Sequence, residues 1–175
     1  MLINLSQLFT SEGKEKRYTP DIEMDQFQAP DGVYEVVDKE PVVLRIRHLG
    51  NRSLLVEGKA VLSLLIPCSR CLQPVKIDFS LDIDCSLDMN QTDEERIEEL
   101  DEQPYVSGYN LDVDQLVCNE LLLNLPMKVL CNDNCKGICN RCGANLNHEN
   151  CACEQSSPDP RMSVIQDIFK QFKEV

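Results

Sequence analysis

Residues 131–153, CNDNCKGICNRCGANLNHENCAC, carry Cys131, Cys135, Cys139, Cys142, Cys151 and Cys153, six of the chain's ten cysteines. Thiols at this density either form disulfides or bind a metal ion. The Cys139-x-x-Cys142 unit is followed at once by Gly143, which favours metal. A tight turn lets both sulfurs reach one tetrahedral ion, and glycine tolerates the backbone bend. The apolar side chains of the stretch are Ile138, Ala144, Leu146 and Ala152, too few to order it by burial alone. Upstream, Pro67-Cys68-Ser69-Arg70-Cys71-Leu72 repeats the unit, again with arginine before the second cysteine.

The eight cysteines divide into two fours, and the expectation is two Zn²⁺ ions per chain. Cys139, Cys142, Cys151 and Cys153 would form a local site, and Cys68, Cys71, Cys131 and Cys135 a long-range one. An alternative places Cys131, Cys135, Cys139 and Cys142 together and leaves Cys151 and Cys153 with Cys68 and Cys71. His148, between Cys142 and Cys151, is a candidate to replace one thiolate. Four thiolates fill the tetrahedron and leave no position for water, so the metal is structural and no enzyme is expected. Cys85 and Cys118 read as small packing residues, and His48 as a strand residue. Arg70, Arg141 and Lys136 lie beside the thiolates in sequence, where they either compensate charge or face phosphate. Arg45, Arg47 and Arg52 flank a turn and offer a small basic patch.

Two other readings of the cysteines exist. One is a CxxC dithiol oxidoreductase using Cys68 and Cys71, but such pairs normally open a helix that lowers the thiol pKa, and here Pro67 precedes and strand-like sequence follows. The other is a zinc-ribbon regulatory protein, against which stands the lack of a basic recognition helix; no DNA partner is expected.

The chain has 17 basic and 30 acidic residues in 175, a formal charge of -13. Zinc bound by eight thiolates would make it more negative. A field of this sign excludes general electrostatic binding of nucleic acid, so any RNA contact is local and a basic protein is the easier partner. Residues 78–120 hold fourteen acids and one base, Arg96. The opening MLINLSQLFTSEGKEK shows no secretory pattern and no window is apolar enough to span a membrane. The expectation is a cytoplasmic protein whose thiols stay reduced.

The remaining chain must position the cysteines. Met1, Ile3 and Leu5 alternate as an opening strand, residues 11–32 read as loop, and residues 33–37 as a short strand. Residues 42–49 and 52–66 form a hairpin about Gly50-Asn51, with glycine supplying the positive φ. This hairpin carries the first Cys-x-x-Cys unit at its far end. Ile77, Phe79, Leu81, Ile83, Cys85 and Leu87 then alternate with Asp78, Ser80, Asp82, Asp84, Ser86 and Asp88, a strand with one core face and one acidic face. Residues 92–103, TDEERIEELDEQ, are either an exposed helix or a disordered insert. Val113, Leu116, Val117, Leu121 and Leu125 make an amphipathic helix capped by Asp112 and ended by Pro126. A last helix follows Asp159-Pro160, with Met162, Ile165, Ile168, Phe169 and Phe172 on one face. The fold class is α+β: an antiparallel sheet, open or curled towards a barrel, with one covering helix, a C-terminal cysteine-rich zinc module and a terminal amphipathic helix. The expected divisions are 1–128, 129–155 and 156–175.

Three blocks in this order, IPCSRCLQPVKIDFSLDI, LDVDQLVCNELLLNLP and LCNDNCKGICNRCGANLNHENCAC, resemble the YceD family, bacterial and plastid proteins linked to accumulation of large-subunit ribosomal RNA. The resemblance spans about residues 2–172. It matches the family's first knuckle at Cys68 and Cys71, and the cysteine-rich tail of its Gram-positive-type members at Cys135, Cys139 and Cys142. The resemblance implies a factor in large ribosomal subunit biogenesis whose partner is a ribosomal protein, large-subunit rRNA or both.

Overall fold

The computed structural model describes residues 1–10, 12–90 and 103–153 of the chain. Strands β1 (Leu2–Asn4), β2 (Glu15–Tyr18), β3 (Gln26–Ala29), β4 (Gly32–Lys39), β5 (Val43–Gly50), β6 (Ser53–Pro67), β7 (Pro74–Asp88), β8 (Val106–Ser107) and β9 (Asn110–Asp112) precede one helix, α1 (Val113–Asn124). A 3-10 turn, Ser6–Thr10, follows β1. The expected helices in 92–103 and after Asp159 fall outside the described residues, apart from Gln103.

Strand β6 organises the larger sheet. Along one edge it pairs antiparallel with the whole of β7, from Ser53↔Asp88 to Pro67↔Pro74. Its other edge is shared: β5 takes residues 53–59 and β4 takes residues 62–65. Strand β2 extends the β5 arm and β3 the β4 arm. Among the described residues the sheet is therefore open, with β7, β2 and β3 at its edges, and does not curl into the barrel left open by the sequence. A strand long enough to serve two different neighbours splits the sheet into arms, and splitting relieves accumulated twist without closure.

Residues 11–32, expected to be loop, contain β2 and β3. Each is a four-residue strand with one paired neighbour, and β2 is almost entirely exposed. Short charged edge strands carry little periodic apolar signal, and the fully buried Phe27 and the buried Ile22, with half-buried Tyr18, Met24 and Ala29, anchor this segment to the core. The β5–β6 turn also differs from expectation. Asn51 and Arg52 are its central residues, both at positive φ (46° and 55°), while Gly50 (φ 98°) sits at the register shift beside them. A two-residue hairpin needs positive φ at both centres, and here glycine serves the neighbouring bulge.

The alternation of β7 is as the sequence indicates. Phe79, Leu81, Ile83 and Leu87 are buried, and Asp78, Ser80, Asp82, Asp84 and Ser86 are exposed. Asp112 caps α1, its Oδ1 accepting from the Asp114 and Gln115 amides at 3.1 and 3.4 Å. Val113, Leu116, Val117 and Leu121 face inward. Leu125 is extended (ψ 125°), as a residue before proline must be, so the helix stops. Strands β1, β9 and β8 form a small second sheet, and one core joins both sheets and the helix through Ile3, Leu5, Leu44, Leu62, Leu81 and Leu116. Among the described residues no helix is long and apolar enough to cross a membrane.

Candidate metal centre

The long β6–β7 pair ends in Pro67↔Pro74, and residues 68–73 close it. The Cys68 amide donates to the Gln73 carbonyl at 2.8 Å, and the Leu72 amide to the Cys68 carbonyl at 2.9 Å, forming a knuckle with Leu72 at φ 61°. Leu72 occupies the position that Gly143 (φ 75°) takes after Cys142, where the Gly143 amide donates to the Cys139 carbonyl at 2.9 Å. The two Cys-x-x-Cys units therefore fold alike, although one carries leucine where the left-handed backbone favours glycine.

The chain after α1 returns to the first knuckle. The Ser69 amide donates to the Val129 carbonyl at 2.8 Å, and the Val129 amide to Ser69 Oγ at 3.2 Å. This pairing brings Cys131 and Cys135 to Cys68 and Cys71. Cys68 Sγ lies 3.8 Å from Cys135 Sγ, and Cys71 Sγ 3.5 Å from Cys131 Sγ. Cys139, Cys142, Cys151 and Cys153 form a second group; within each group the four Sγ atoms lie within 4.8 Å of one another. These groups are the local and long-range fours of the first division, and the alternative grouping is not formed.

The donor sets fit a tetrahedral metal ion. A Zn–S bond of about 2.3 Å gives sulfur–sulfur edges of about 3.8 Å, whereas a disulfide holds its sulfurs at about 2.05 Å. All ten cysteines are free thiols. Cys118 sits apart from both groups, with its Sγ 3.4 Å from Met24 Sδ, and Cys85 lies on the inner face of β7, where burial pushes its thiol up to about 11.

The thiols of each group titrate against one another. Burial works to raise Cys68, but the amides of Cys71, Arg70 and Cys131 outweigh it and bring the thiol down to about 6. Burial also opposes ionisation of Cys135, yet the Asn147 side-chain amide and the Gly137 amide lower it. Cys131 is pushed up to about 12 by its contacts with the Cys135 and Cys71 thiols and by burial. Cys71 is raised: a bond at Gln73 draws it down, but burial and the neighbouring sulfurs prevail. In the second group the amides of Cys142 and Arg141 bring Cys139 down to about 6, while contact with Cys142 and burial hold Cys153 up to about 12. Sulfurs at this spacing cannot all ionise unless a cation is shared among them.

A third set of contacts ties the groups together. Arg70 Nη1 donates to the Cys135 carbonyl at 2.8 Å, and the Ile138 amide to the Arg70 carbonyl at 3.2 Å. Gly137, at φ 80°, lies so close that a Cβ there would sit 3.1 Å from the Arg70 carbonyl oxygen. Asn147 Nδ2 donates to Cys135 Sγ at 3.2 Å. His148 Nε2 stands 2.9 Å from Gln73 Nε2, so this histidine joins the module to the knuckle loop and is not among the grouped ligand atoms. Asn147 and Gln73 carry no sequence signal beyond their spacing from Cys135 and Cys71.

Two of the three turn arginines are engaged within the protein. Arg45 forms a two-pronged pair with Glu15 at 2.7 Å, and Arg52 lies over the Tyr109 ring, 5.7 Å from its centroid. The expected patch of Arg45, Arg47 and Arg52 is thereby largely spent on internal contacts.

No solved structure matches the chain. A protein of Mycobacterium tuberculosis named only as uncharacterized is 30% identical over 128 residues, covering 72% of this chain and 60% of its own length. The Bacillus subtilis uncharacterized protein YlbN is 28% identical over 112 residues, 63% of each chain. The Zea mays chloroplastic protein named large ribosomal RNA subunit accumulation protein YCED homolog 1 is 33% identical over 61 residues, 34% of this chain and 20% of its own. The chain thus spans about 60% of the length of the mycobacterial relative. The profile of the family described as large ribosomal RNA subunit accumulation protein YceD matches residues 56–169, from near the start of β6 through both cysteine groups, and the chain belongs to that family.

Proposed function

We propose that the protein is a non-catalytic, zinc-stabilised factor in large ribosomal subunit biogenesis that acts by holding a basic ribosomal protein. The observation that carries this reading is the closure of both cysteine groups. Four thiols converge in each, so a bound Zn²⁺ would have its tetrahedron filled and would brace the backbone without activating water. Cys68, Cys71, Cys131 and Cys135 would hold one ion and Cys139, Cys142, Cys151 and Cys153 the other. Neither competing reading gains support: Cys68 and Cys71 sit in a hairpin loop rather than at a helix start, and α1 carries Asp114 and Glu120 and no basic residue.

The outer face of the sheet suggests the partner. Asp78, Asp82 and Asp84 project from β7, and Glu57 lies directly opposite Asp84 across β6 and β7. Like charges placed opposite one another destabilise a sheet, and lysine or arginine from a partner would relieve that repulsion and speed the encounter. Asp82 already pairs with Lys59 at 3.1 Å and Glu57 faces Arg45 across β5 and β6, which leaves Asp84 as the carboxylate a partner's cation would meet. The test is binding of the metal-replete chain to purified large-subunit ribosomal proteins and to rRNA, at low and high salt. Salt-sensitive capture of a basic ribosomal protein, lost in Asp82→Lys, Asp84→Lys, is the expected result. Binding to bare rRNA with no affinity for any ribosomal protein would sink the assignment.

A further inference from the structure

We propose that the outer group, Cys139, Cys142, Cys151 and Cys153, is an oxidative modification site for small hydroperoxides, whereas the inner group is shielded from them. The two groups share a ligand set and differ in their surroundings. Cys68 is fully buried, Cys71 is 5% exposed and Cys135 2%, Cys131 is half-buried, and a small apolar cluster with Val75 and Leu130 surrounds them. In the outer group Cys139 is buried, but Cys142 is exposed and Cys151 and Cys153 are half-buried.

Access and freedom to move favour the same group. Cys151 of the outer group lines an open cleft of about 450 Å³ together with Lys136, Leu146 and Asn150. A hydroperoxide fits such a space. The inner sulfurs are pinned at both ends, by the Pro67↔Pro74 strand pair and by the Ser69–Val129 and Arg70–Cys135 hydrogen bonds. Forming a disulfide means closing from the present spacing, within 4.8 Å, to about 2.05 Å. The exposed loop at 149–153 can make that move more easily than a knuckle clamped between paired strands.

The chemistry balances without any further reagent. One thiolate attacks the terminal oxygen of the hydroperoxide, the O–O bond breaks, and the alkoxide leaves and takes up a proton as an alcohol. The sulfenic acid so formed is attacked by a second thiolate; the S–S bond forms and hydroxide leaves, protonated to water. Each turn oxidises two thiolates by two electrons and consumes one hydroperoxide and two protons. Two turns convert the outer group to two disulfides and release a divalent ion, if one is bound there as the proposed function holds. The inner group would then stay reduced and continue to join the sheet to the residues after α1.

The experiment uses the full chain reconstituted with Zn²⁺. Its ions are counted by native mass spectrometry, and the chain is then exposed to tert-butyl hydroperoxide. Released zinc is followed with a chromogenic chelator, and cysteines are mapped by differential alkylation after denaturation. The expected result is one ion released per chain and disulfides confined to Cys139, Cys142, Cys151 and Cys153, both reversed by dithiothreitol and fresh Zn²⁺. Release of both ions at one rate, or release of neither, overturns the inference, as does first oxidation at Cys68, Cys71, Cys131 or Cys135. A chain that takes up no ion before treatment overturns the zinc reading instead, and the thiol map of that same sample still decides where the oxidant reacts.

Discussion

Cys68 Sγ and Cys135 Sγ lie 3.8 Å apart, although 67 residues separate them in the chain. The Cys131 amide points at the same Cys68 sulfur from 3.3 Å, and the Asn147 side chain reaches Cys135 from the other side at 3.2 Å. Each sulfur is thus held both by its own turn and by a donor from elsewhere, an arrangement that stabilises thiolate.

Metal removal is expected to act on the module before the sheet. Structural zinc sites contribute roughly 10–16 kcal/mol in small peptides, against roughly 5–15 kcal/mol of net stability for a whole domain. A chelator should abolish hydrogen-exchange protection over residues 129–153 while β5 and the adjoining half of β6 keep theirs. Native mass spectrometry should count two Zn²⁺ in the wild type and one in Cys68→Ala, Cys71→Ala; loss of both or of neither would contradict the division of ligands.

Gly137→Ala should weaken the joint between the cysteine groups. The added methyl meets the Arg70 carbonyl oxygen at 3.1 Å, and the residue must hold φ 80°. A left-handed alanine costs about 1–2 kcal/mol, so the mutant should lose roughly that much in denaturant unfolding. Lys136→Ala, on an exposed neighbour, should lose less than about 0.5 kcal/mol.

Gly58→Ala should strain the sheet itself. A Cβ at Gly58 would lie 2.4 Å from the Val43 carbonyl oxygen and 2.8 Å from Leu44 Cδ2, so β5 and β6 must move apart where Leu44 and Gly58 are in register. Overpacking of this kind costs about 1–3 kcal/mol, measurable as a lowered urea midpoint at unchanged zinc content.

Cys85 supplies a pH dependence. Burial pushes its thiol from the ordinary value up to about 11. Between about pH 9 and 11 the unfolded chain releases this proton and the folded chain keeps it, so stability falls as pH rises through that window. The loss attributable to Cys85 should approach about 2 kcal/mol at the top of the window. Cys85→Val should flatten this part of the stability profile relative to wild type; an unchanged slope would show that the thiol ionises as freely in the folded protein as in the unfolded one.

Legibility followed the range of the interaction. The β7 alternation, the Asp112 cap and the stop before Pro126 depend on neighbours one to four residues away, and the sequence displays them directly. The short strands β2 and β3 were hidden, because four mostly polar residues at a sheet edge have no period to read and are held by backbone pairing to Arg47, Arg45, Tyr34 and Val33. The turn lies one residue beyond the place Gly50 indicates, because the non-glycine pair Asn51-Arg52 adopts the positive φ.

By itself the sequence determined which eight cysteines stand in ligand-like spacing, and that one face of β7 is apolar and the other acidic. Only the tertiary structure decided that residues 68–71 and 131–135 meet, that β6 shares one edge between β4 and β5 and leaves the sheet open among the described residues, and that three of four thiols are buried in one cysteine group but only Cys139 in the other. The first kind of fact follows from the fixed repeat of the backbone. The second depends on closing loops of sixty residues and more, and nothing local in those loops records which distant surface they will meet.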